Sequence, residues 1–135
     1  QEHEIGITVH LALKELYTKK SSYDDATLLK KDLDRELDAV CGKSELEKYL
    51  IAIHKKRLHK FAINDVERFK DGWSVISCEE FFEIDYKGMR IVGQIDRVDK
   101  RHNEIEVLDY KTGGYTLYNK NNFSDATDFQ LEFYH

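Results

Sequence analysis

The chain has 135 residues, with 21 basic and 26 acidic side chains, a formal net charge of −5 and no proline. This length suits one domain with a substantial core, and the mild acidity argues against a broad, non-specific binder of polyanions, although it is compatible with a local basic strip. Because no run of about eighteen apolar residues occurs, the sequence predicts neither a membrane span nor a signal peptide, and we expect a cytoplasmic protein.

The ends of the chain and its cysteines set two further expectations. The sequence begins at Gln1 and stops at His135, directly after a strongly patterned aromatic stretch. We therefore expect a single domain, residues 1–135, that is part of a longer polypeptide. Cys41 and Cys78 form no C-x-x-C pair, which predicts reduced thiols rather than a zinc site or a disulfide framework.

Helical periodicity dominates the first half of the chain. Apolar residues recur every three or four positions over 4–19 and again over 24–40, which predicts two amphipathic helices. Gly42 is placed to stop the second helix. The capping-box sequence at 44–47 predicts the start of a third helix that runs to about Lys70.

The second half changes to β-branched and aromatic runs that alternate in polarity. These runs predict a three-strand meander over residues 73–86, 89–100 and 105–111. Lys87 and Gly88 are predicted to form the first hairpin turn. A polar loop follows residue 111, and a further helix is predicted from about residue 128. The order of elements predicts an α/β fold in which a mixed sheet is flanked by helices.

Three charged residues of the predicted sheet stand out. Asp109 and Lys111 lie two positions apart and share one face of a strand. A short turn brings Asp96 of the preceding strand next to Asp109, where two carboxylates repel each other unless a cation is present. Carboxylates that act together with phosphate oxygens favour Mg²⁺, and an amine nearby suits hydrolysis of a phosphodiester. The alternative is that Asp96, Arg97, Asp99 and Lys100 are solvated hairpin charges and that Lys111 protects a sheet edge.

The motifs around these residues resemble a known family. The sequences GQIDRVD (93–99), EVLDYKTG (106–113) and QLEFY (130–134) follow one another in the order and spacing of the RecB-like branch of the PD-(D/E)xK nuclease superfamily. The resemblance covers most of the chain. It implies a restriction-endonuclease-like fold and a metal-dependent deoxyribonuclease, with Mg²⁺ as the cofactor and Mn²⁺ as a substitute.

The resemblance also assigns roles to residues of the sheet. It implies that Asp96 and Asp109 bind the metal, that the backbone carbonyl of Tyr110 is a further ligand, and that Lys111 is the catalytic lysine. Glu79 takes the place of a family glutamate on the preceding strand, and Glu80 is the competing candidate.

Helical residues complete the implied site. Gly6 and His10 fit a G-x-x-x-H pattern that adds a histidine to the metal shell, although a lone helical histidine is more often a core or surface residue. Gln130 and Tyr134 are four positions apart, which puts them on one face of a helix. The resemblance implies that both act near the active site; the alternative is that this helix only contributes aromatic side chains to the core.

The sequence departs from the family pattern at two points, and the resemblance also implies a substrate and a partner. Ile95 stands where the superfamily name has proline, which removes a rigid turn but no catalytic atom. Two cysteines are too few for the iron–sulfur cluster of some relatives. The resemblance implies DNA as the substrate, exonuclease action in double-strand break repair or recombination, and a helicase domain or subunit as the partner.

Several alternatives stay open at this level. The domain could be a catalytically inactive DNA-binding or interaction module of a helicase–nuclease complex. It could also be a structural interaction domain whose acidic residues are only charges on the hairpin surface. The basic stretch at 54–70 fits either a DNA-backbone contact or a solvated helix face. Trp73, Phe81 and Phe82 are predicted to be core residues rather than a platform for stacked bases.

Overall fold

The computed structural model describes residues 2–110 and 118–123, in which three helices precede a four-stranded sheet. The helices are α1 (Glu2–Lys19), α2 (Ala26–Val40) and α3 (Glu45–Lys70), and the strands are β1 (Ser74–Tyr86), β2 (Met89–Arg101), β3 (Glu104–Tyr110) and β4 (Tyr118–Phe123). This order confirms the predicted α/β class with a helical first half. Within these ranges no helix has the length and apolar character needed to cross a membrane.

The predicted capping box begins α3. The backbone N–H of Glu47 donates a hydrogen bond to Ser44 Oγ at 3.0 Å, and the Ser44 hydroxyl donates to the Glu47 carboxylate at 2.9 Å. The helix ends at Lys70, and Gly72, two residues later, has a φ of 104° in the left-handed region that favours glycine. Both predicted ends of α3 are therefore confirmed.

The end of α2 differs in detail from the prediction. Cys41 follows the helix in an extended conformation, with φ −71° and ψ 138°. A Cβ atom at Gly42 would collide with the Glu47 carboxylate of the next helix. Gly42 therefore serves the close approach of the capping box rather than a left-handed stop.

The sheet has the order β1-β2-β3-β4, and its described strands all pair antiparallel rather than in the expected mixed pattern. Lys87 and Gly88 form the predicted turn between β1 and β2, with φ values of 51° and 79°. Positive φ at both central residues matches the twist of a two-residue hairpin.

Strand β4 was not predicted. Its sequence, Tyr118–Phe123, is rich in asparagine, which has low strand propensity, and the pattern suggested a polar loop. The segment pairs with β3 from Tyr110 to Ile105. The backbone hydrogen bonds of a neighbouring strand therefore override the local preference of these residues.

The core lies between the helices and one face of the sheet. Leucines of all three helices and of β3 are at most 1% exposed: Leu13, Leu16, Leu29, Leu33, Leu37, Leu58 and Leu108. Helix α1 contacts α2, α3 and β1 and so lies next to the sheet. Trp73 is buried, as predicted.

Charged residues also join the sheet to α3 in what we call the core ion cluster, formed by Asp65, Arg68, Arg97, Asp99 and Glu106. Arg97 donates bidentate hydrogen bonds to Asp65 at 2.7 and 3.2 Å and to Asp99 at 2.7 and 2.8 Å. Arg68 pairs with Asp99 at 2.8 Å and with Glu106 at 2.7 Å. Because Arg97 and Asp99 are both 0% exposed, the alternative that they are solvated hairpin charges is wrong for these two residues, whereas Lys100 is exposed as that alternative expects.

Candidate active site

The two candidate metal-binding aspartates lie where strands β2 and β3 separate. The last pair of their ladder is Arg97 with Leu108. Continuing the register by one position places Asp96 opposite Asp109, immediately beyond the last paired residues.

Asp96 has polar contacts on three sides. Its Oδ2 accepts a hydrogen bond from the Tyr110 backbone N–H at 2.8 Å and lies 3.5 Å from His10 Nε2. Asp109, on the neighbouring strand, is close enough to affect the pKa of Asp96. Burial raises the pKa of Asp96, but the contacts with His10, Asp109 and the Tyr110 N–H outweigh burial, so the pKa lies below its usual value.

The register places Asp96 and Asp109 opposite each other on adjacent strands. Two carboxylates this close repel each other when both are ionised. A dication, or a shared proton, removes this conflict.

His10 comes to the same place from α1. Contact with Asp96 raises the pKa of His10, burial opposes the rise, and the charges of Asp96, Glu79 and Asp109 add to it. At 3.5 Å the His10–Asp96 contact is an ion-pair distance rather than a formed hydrogen bond, and the buried Nε2 has no hydrogen-bond partner among the described residues. A buried nitrogen in this condition is suited to bind a cation.

Tyr110 links the site to the interior. Its ring centroid lies 5.6 Å from that of His10 and 5.8 Å from that of Phe61, and its hydroxyl accepts a hydrogen bond from Arg97 Nη1 at 3.3 Å. The side chain of Tyr110 is thus held by the core ion cluster, while its backbone N–H holds Asp96. Tyr110 therefore connects the core ion cluster to Asp96 at the end of β3.

Glu79 lies on the other side of β2. Its neighbours in β1 pair with the residues on either side of Asp96, so the register places Glu79 opposite Asp96. Its carboxylate accepts a hydrogen bond from Gln94 Nε2 at 2.7 Å. Three acids, Glu79, Asp96 and Asp109, thus form one row across β1, β2 and β3. The competing candidate, Glu80, pairs with Ile95 through its backbone, and its side chain lies outside the described part.

Glu79 also has an uncommon backbone conformation. Its φ of 56° lies in the left-handed region, which is unfavourable for a residue with a side chain and is found disproportionately at functional sites. The conformation falls in the middle of a strand, between two regular ladder pairs. The ladder pairs before and after it, Cys78 with Arg97 and Glu80 with Ile95, therefore hold Glu79 in a backbone conformation that a glutamate does not favour.

Three predicted residues lie outside the described residues. Lys111 follows Tyr110, the last residue of β3, and Gln130 and Tyr134 belong to the segment predicted as a helix. Their assignment to the site stays a prediction. The described residues His10, Glu79, Asp96, Asp109 and Tyr110 are brought together.

The donors of the site fit a divalent metal ion of the kind bound by oxygen and imidazole nitrogen. Two adjacent carboxyls and a buried imidazole nitrogen without a hydrogen-bond partner have the required chemistry. Among the described side chains, no group of three histidines, cysteines or acids is arranged as a complete cation site. The site therefore fits a divalent metal ion in the kinds of donor atoms that it contains.

The sequence reasoning missed three residues near the site. Gln94 bonds Glu79, Arg97 supports Tyr110, and Phe81 is 79% exposed, which makes its prediction as a core residue wrong. Gln94 and Arg97 stand in the same motif as Asp96, which is a signal that could have identified them. Phe81 gave no such signal, because exposed and buried aromatic residues look alike in a strand pattern.

Comparison with known proteins identifies the family of the chain. No curated protein and no solved structure matches the chain significantly. The sequence model of the PD-(D/E)XK nuclease superfamily matches residues 1–135, the whole chain. The chain therefore belongs to the PD-(D/E)XK nuclease superfamily.

Proposed function

We propose that this protein is a divalent-metal-dependent DNA nuclease of the RecB-like branch. The observation that carries the proposal is the meeting of His10, Asp96 and Asp109 at the point where β2 and β3 separate. The Asp96 carboxylate lies 3.5 Å from His10, and the register of β2 and β3 places Asp109 opposite Asp96. Membership of a nuclease superfamily supports hydrolysis of a phosphodiester as the reaction.

The residues that would hold the ion are His10, Asp96, Asp109 and the backbone carbonyl of Tyr110. When bound, Mg²⁺, or Mn²⁺ in its place, polarises a phosphoryl oxygen and makes water a better nucleophile. The Tyr110 N–H fixes one oxygen of Asp96 at 2.8 Å, which keeps that carboxylate aimed at the gap between the strands.

Other residues of the chain act on the substrate. The Lys111 ammonium stabilises negative charge that develops on the phosphoryl oxygens. Glu79, oriented by Gln94 at 2.7 Å, adds a carboxylate at the edge of the acidic row, where it orients water. Gln130 orients the substrate or the metal shell, and Tyr134 contacts the strand that is cut.

We further propose the setting in which the nuclease acts. The RecB-like motifs favour exonuclease action on broken DNA in the cytoplasm, in repair or recombination. Residues 1–135 would serve as the single nuclease domain of a longer protein that carries, or works beside, a helicase.

The first test is cleavage of an oligonucleotide with Mg²⁺ or Mn²⁺ by the wild type and by Lys111→Ala. Because Lys111 acts on charge that forms in the transition state, we expect kcat to fall roughly 10²- to 10³-fold. Lys100→Ala is the matched control, since Lys100 is exposed on β2, and it should retain wild-type activity. Equal rates in wild type and Lys111→Ala, or no cleavage by either, would remove the nuclease proposal.

The variant Asp109→Ala, which removes one of the proposed metal-binding carboxylates, tests metal binding without catalysis. A ligand that binds only the folded state raises the melting temperature, and at a hundred times its dissociation constant it adds about 2.7 kcal/mol. Mn²⁺ should therefore raise the melting temperature of the wild type but leave that of Asp109→Ala unchanged. An equal rise in both proteins would show that the ion binds elsewhere.

A further inference from the structure

Two of the exposed apolar side chains of the β1–β2 hairpin, Phe81 and Val92, lie beyond the active site. Phe81 is 79% exposed and Val92 is 63% exposed. Apolar side chains of this size are usually buried when a strand has a core to face. Their exposure makes them candidates for contact with a ligand or a partner.

The two side chains lie on one face of the hairpin. Phe81 pairs with Gln94, and Val92 pairs with Glu83. Directly opposite residues of an antiparallel pair share a face, as do residues two positions apart in one strand. Phe81 and Val92 are therefore diagonal neighbours on the face that also carries Gln94.

This exposed pair is continuous with the acidic row. The amide of Gln94 donates a hydrogen bond to Glu79 Oε2 at 2.7 Å. Two residues of strand separate Phe81 from Glu79, a distance of roughly 7 Å at about 3.3 Å per residue. The aromatic ring therefore lies about one nucleotide away from the candidate site.

We propose that Phe81 and Val92 form a stacking platform for an unpaired nucleobase of a single-stranded nucleic acid. The proposal rests on the proposed nuclease function and adds the substrate class to it. A base next to the phosphate to be cut lies on the ring of Phe81, with Val92 extending the apolar surface. Stacking of this kind tolerates any base, because every base has an apolar face.

The small area of the exposed pair and the uncharged ring of Phe81 favour a nucleobase over a protein partner. Arg90 forms an ion pair with Glu83 at 2.5 Å, and Asp85, which pairs with Arg90 in the ladder, adds a further acid to the same face. Acidic groups repel phosphates, so an uncharged aromatic ring supplies binding that charge does not. Two side chains match the area of one base, whereas a stable protein interface needs about 800 Å² from each partner.

The platform has a consequence for strand preference. A base inside a duplex already stacks on its neighbours and must leave the helix before it reaches an aromatic ring. The platform therefore favours single strands or frayed ends over intact duplex. Met89 lies on the opposite face of the same hairpin and is 64% exposed, which makes it a matched control for Phe81.

The experiment measures kcat and KM of the protein with Mn²⁺ on a single-stranded oligonucleotide that carries 2-aminopurine, whose fluorescence falls when it stacks. Wild type, Phe81→Ala, Phe81→Trp and Met89→Ala are compared, with melting temperatures as a check on folding. We expect Phe81→Ala to raise KM about tenfold, within the range for one lost stacked base, and to abolish the fluorescence change. Phe81→Trp and Met89→Ala should resemble the wild type.

The outcomes separate this proposal from the proposed function. If the wild type cleaves and Phe81→Ala matches Met89→Ala, the platform is wrong and the nuclease stands. If the wild type quenches 2-aminopurine through Phe81 but cuts nothing, the platform stands and the nuclease is wrong. Equal losses in Phe81→Ala and Met89→Ala, with unchanged melting temperatures, would show that the effect does not depend on the face that carries Phe81, and would overturn the platform.

Discussion

At the scale of single residues, the active site depends on groups held in positions that they would not adopt alone. Glu79 has a φ of 56°, and His10 presents a buried nitrogen that lacks a hydrogen-bond partner among the described residues. Each condition carries an energetic penalty, and backbone strain such as that at Glu79 is on the order of 1–3 kcal/mol. The surrounding sheet and helices maintain both, which is typical of functional positions.

Substitution of Glu79 tests this balance between stability and function. Asparagine tolerates the left-handed region better than glutamate does. We expect Glu79→Asn to keep or raise the free energy of unfolding, by up to about 1 kcal/mol, while it lowers the rate of DNA cleavage.

Lys87 provides the control, because its φ is 51° and it lies in the hairpin turn away from the acidic row. Lys87→Asn should also stabilise the protein but leave cleavage unchanged. The measurements are urea unfolding and oligonucleotide cleavage for both variants. Unchanged cleavage by Glu79→Asn would contradict a role for this carboxylate in the active site.

At the scale of elements, β2 serves two purposes because its side chains alternate in direction. Arg97 and Asp99 point into the interior and bind α3, while Asp96, between Ile95 and Arg97, belongs to the acidic row. A shift of register by one residue would exchange these roles. The bidentate pairs made by Arg97 therefore fix the register that the active site needs.

Helix α3 positions Asp65, and its first turn depends on the capping box. Removal of the hydroxyl in Ser44→Ala leaves the Glu47 N–H without its 3.0 Å partner and should lower the free energy of unfolding by about 1 kcal/mol. Ser74→Ala is a suitable control, since this serine begins β1 and caps no helix. The comparison uses urea titration of both variants. Equal stability of the two would show that the cap contributes nothing to α3.

At the scale of the whole molecule, the core ion cluster joins the sheet to the helices. Arg97 also lies over the ring of Tyr17, 4.8 Å from the centroid, and the Tyr17 hydroxyl hydrogen-bonds Asp65. Helices α1 and α3 are thus tied to β2 at one point. The same guanidinium reaches the Tyr110 hydroxyl, so the fold and the site share one support.

Loss of one partner from this cluster leaves a buried charge that is incompletely paired. We expect Asp65→Asn to lower the free energy of unfolding by about 3–5 kcal/mol. Asp38→Asn, which removes a 2.7 Å surface ion pair with Lys55, should change it by less than about 1 kcal/mol. Both are measured by urea unfolding, and similar losses in the two variants would contradict a central role for the buried pair.

The sequence by itself determined the helices, the first three strands and the motifs of the superfamily. Periodicity and caps depend on neighbouring residues, so the capping box at Ser44 and the hairpin turn at Lys87 could be predicted from local pattern. The motif around Asp96 and Asp109 likewise identified the acids that meet, since a short turn between two strands leaves little choice of register.

Only the tertiary structure decided the rest, because it depends on contacts between residues that are distant in sequence. Strand β4 forms because β3 offers hydrogen bonds to an asparagine-rich segment. Arg97 is buried because Asp65, 32 residues earlier, neutralises it. Phe81 is exposed because no helix of the described part covers its face of the hairpin. Local pattern reports which residues are apolar or charged, but only the packing of the whole chain decides what each of them faces.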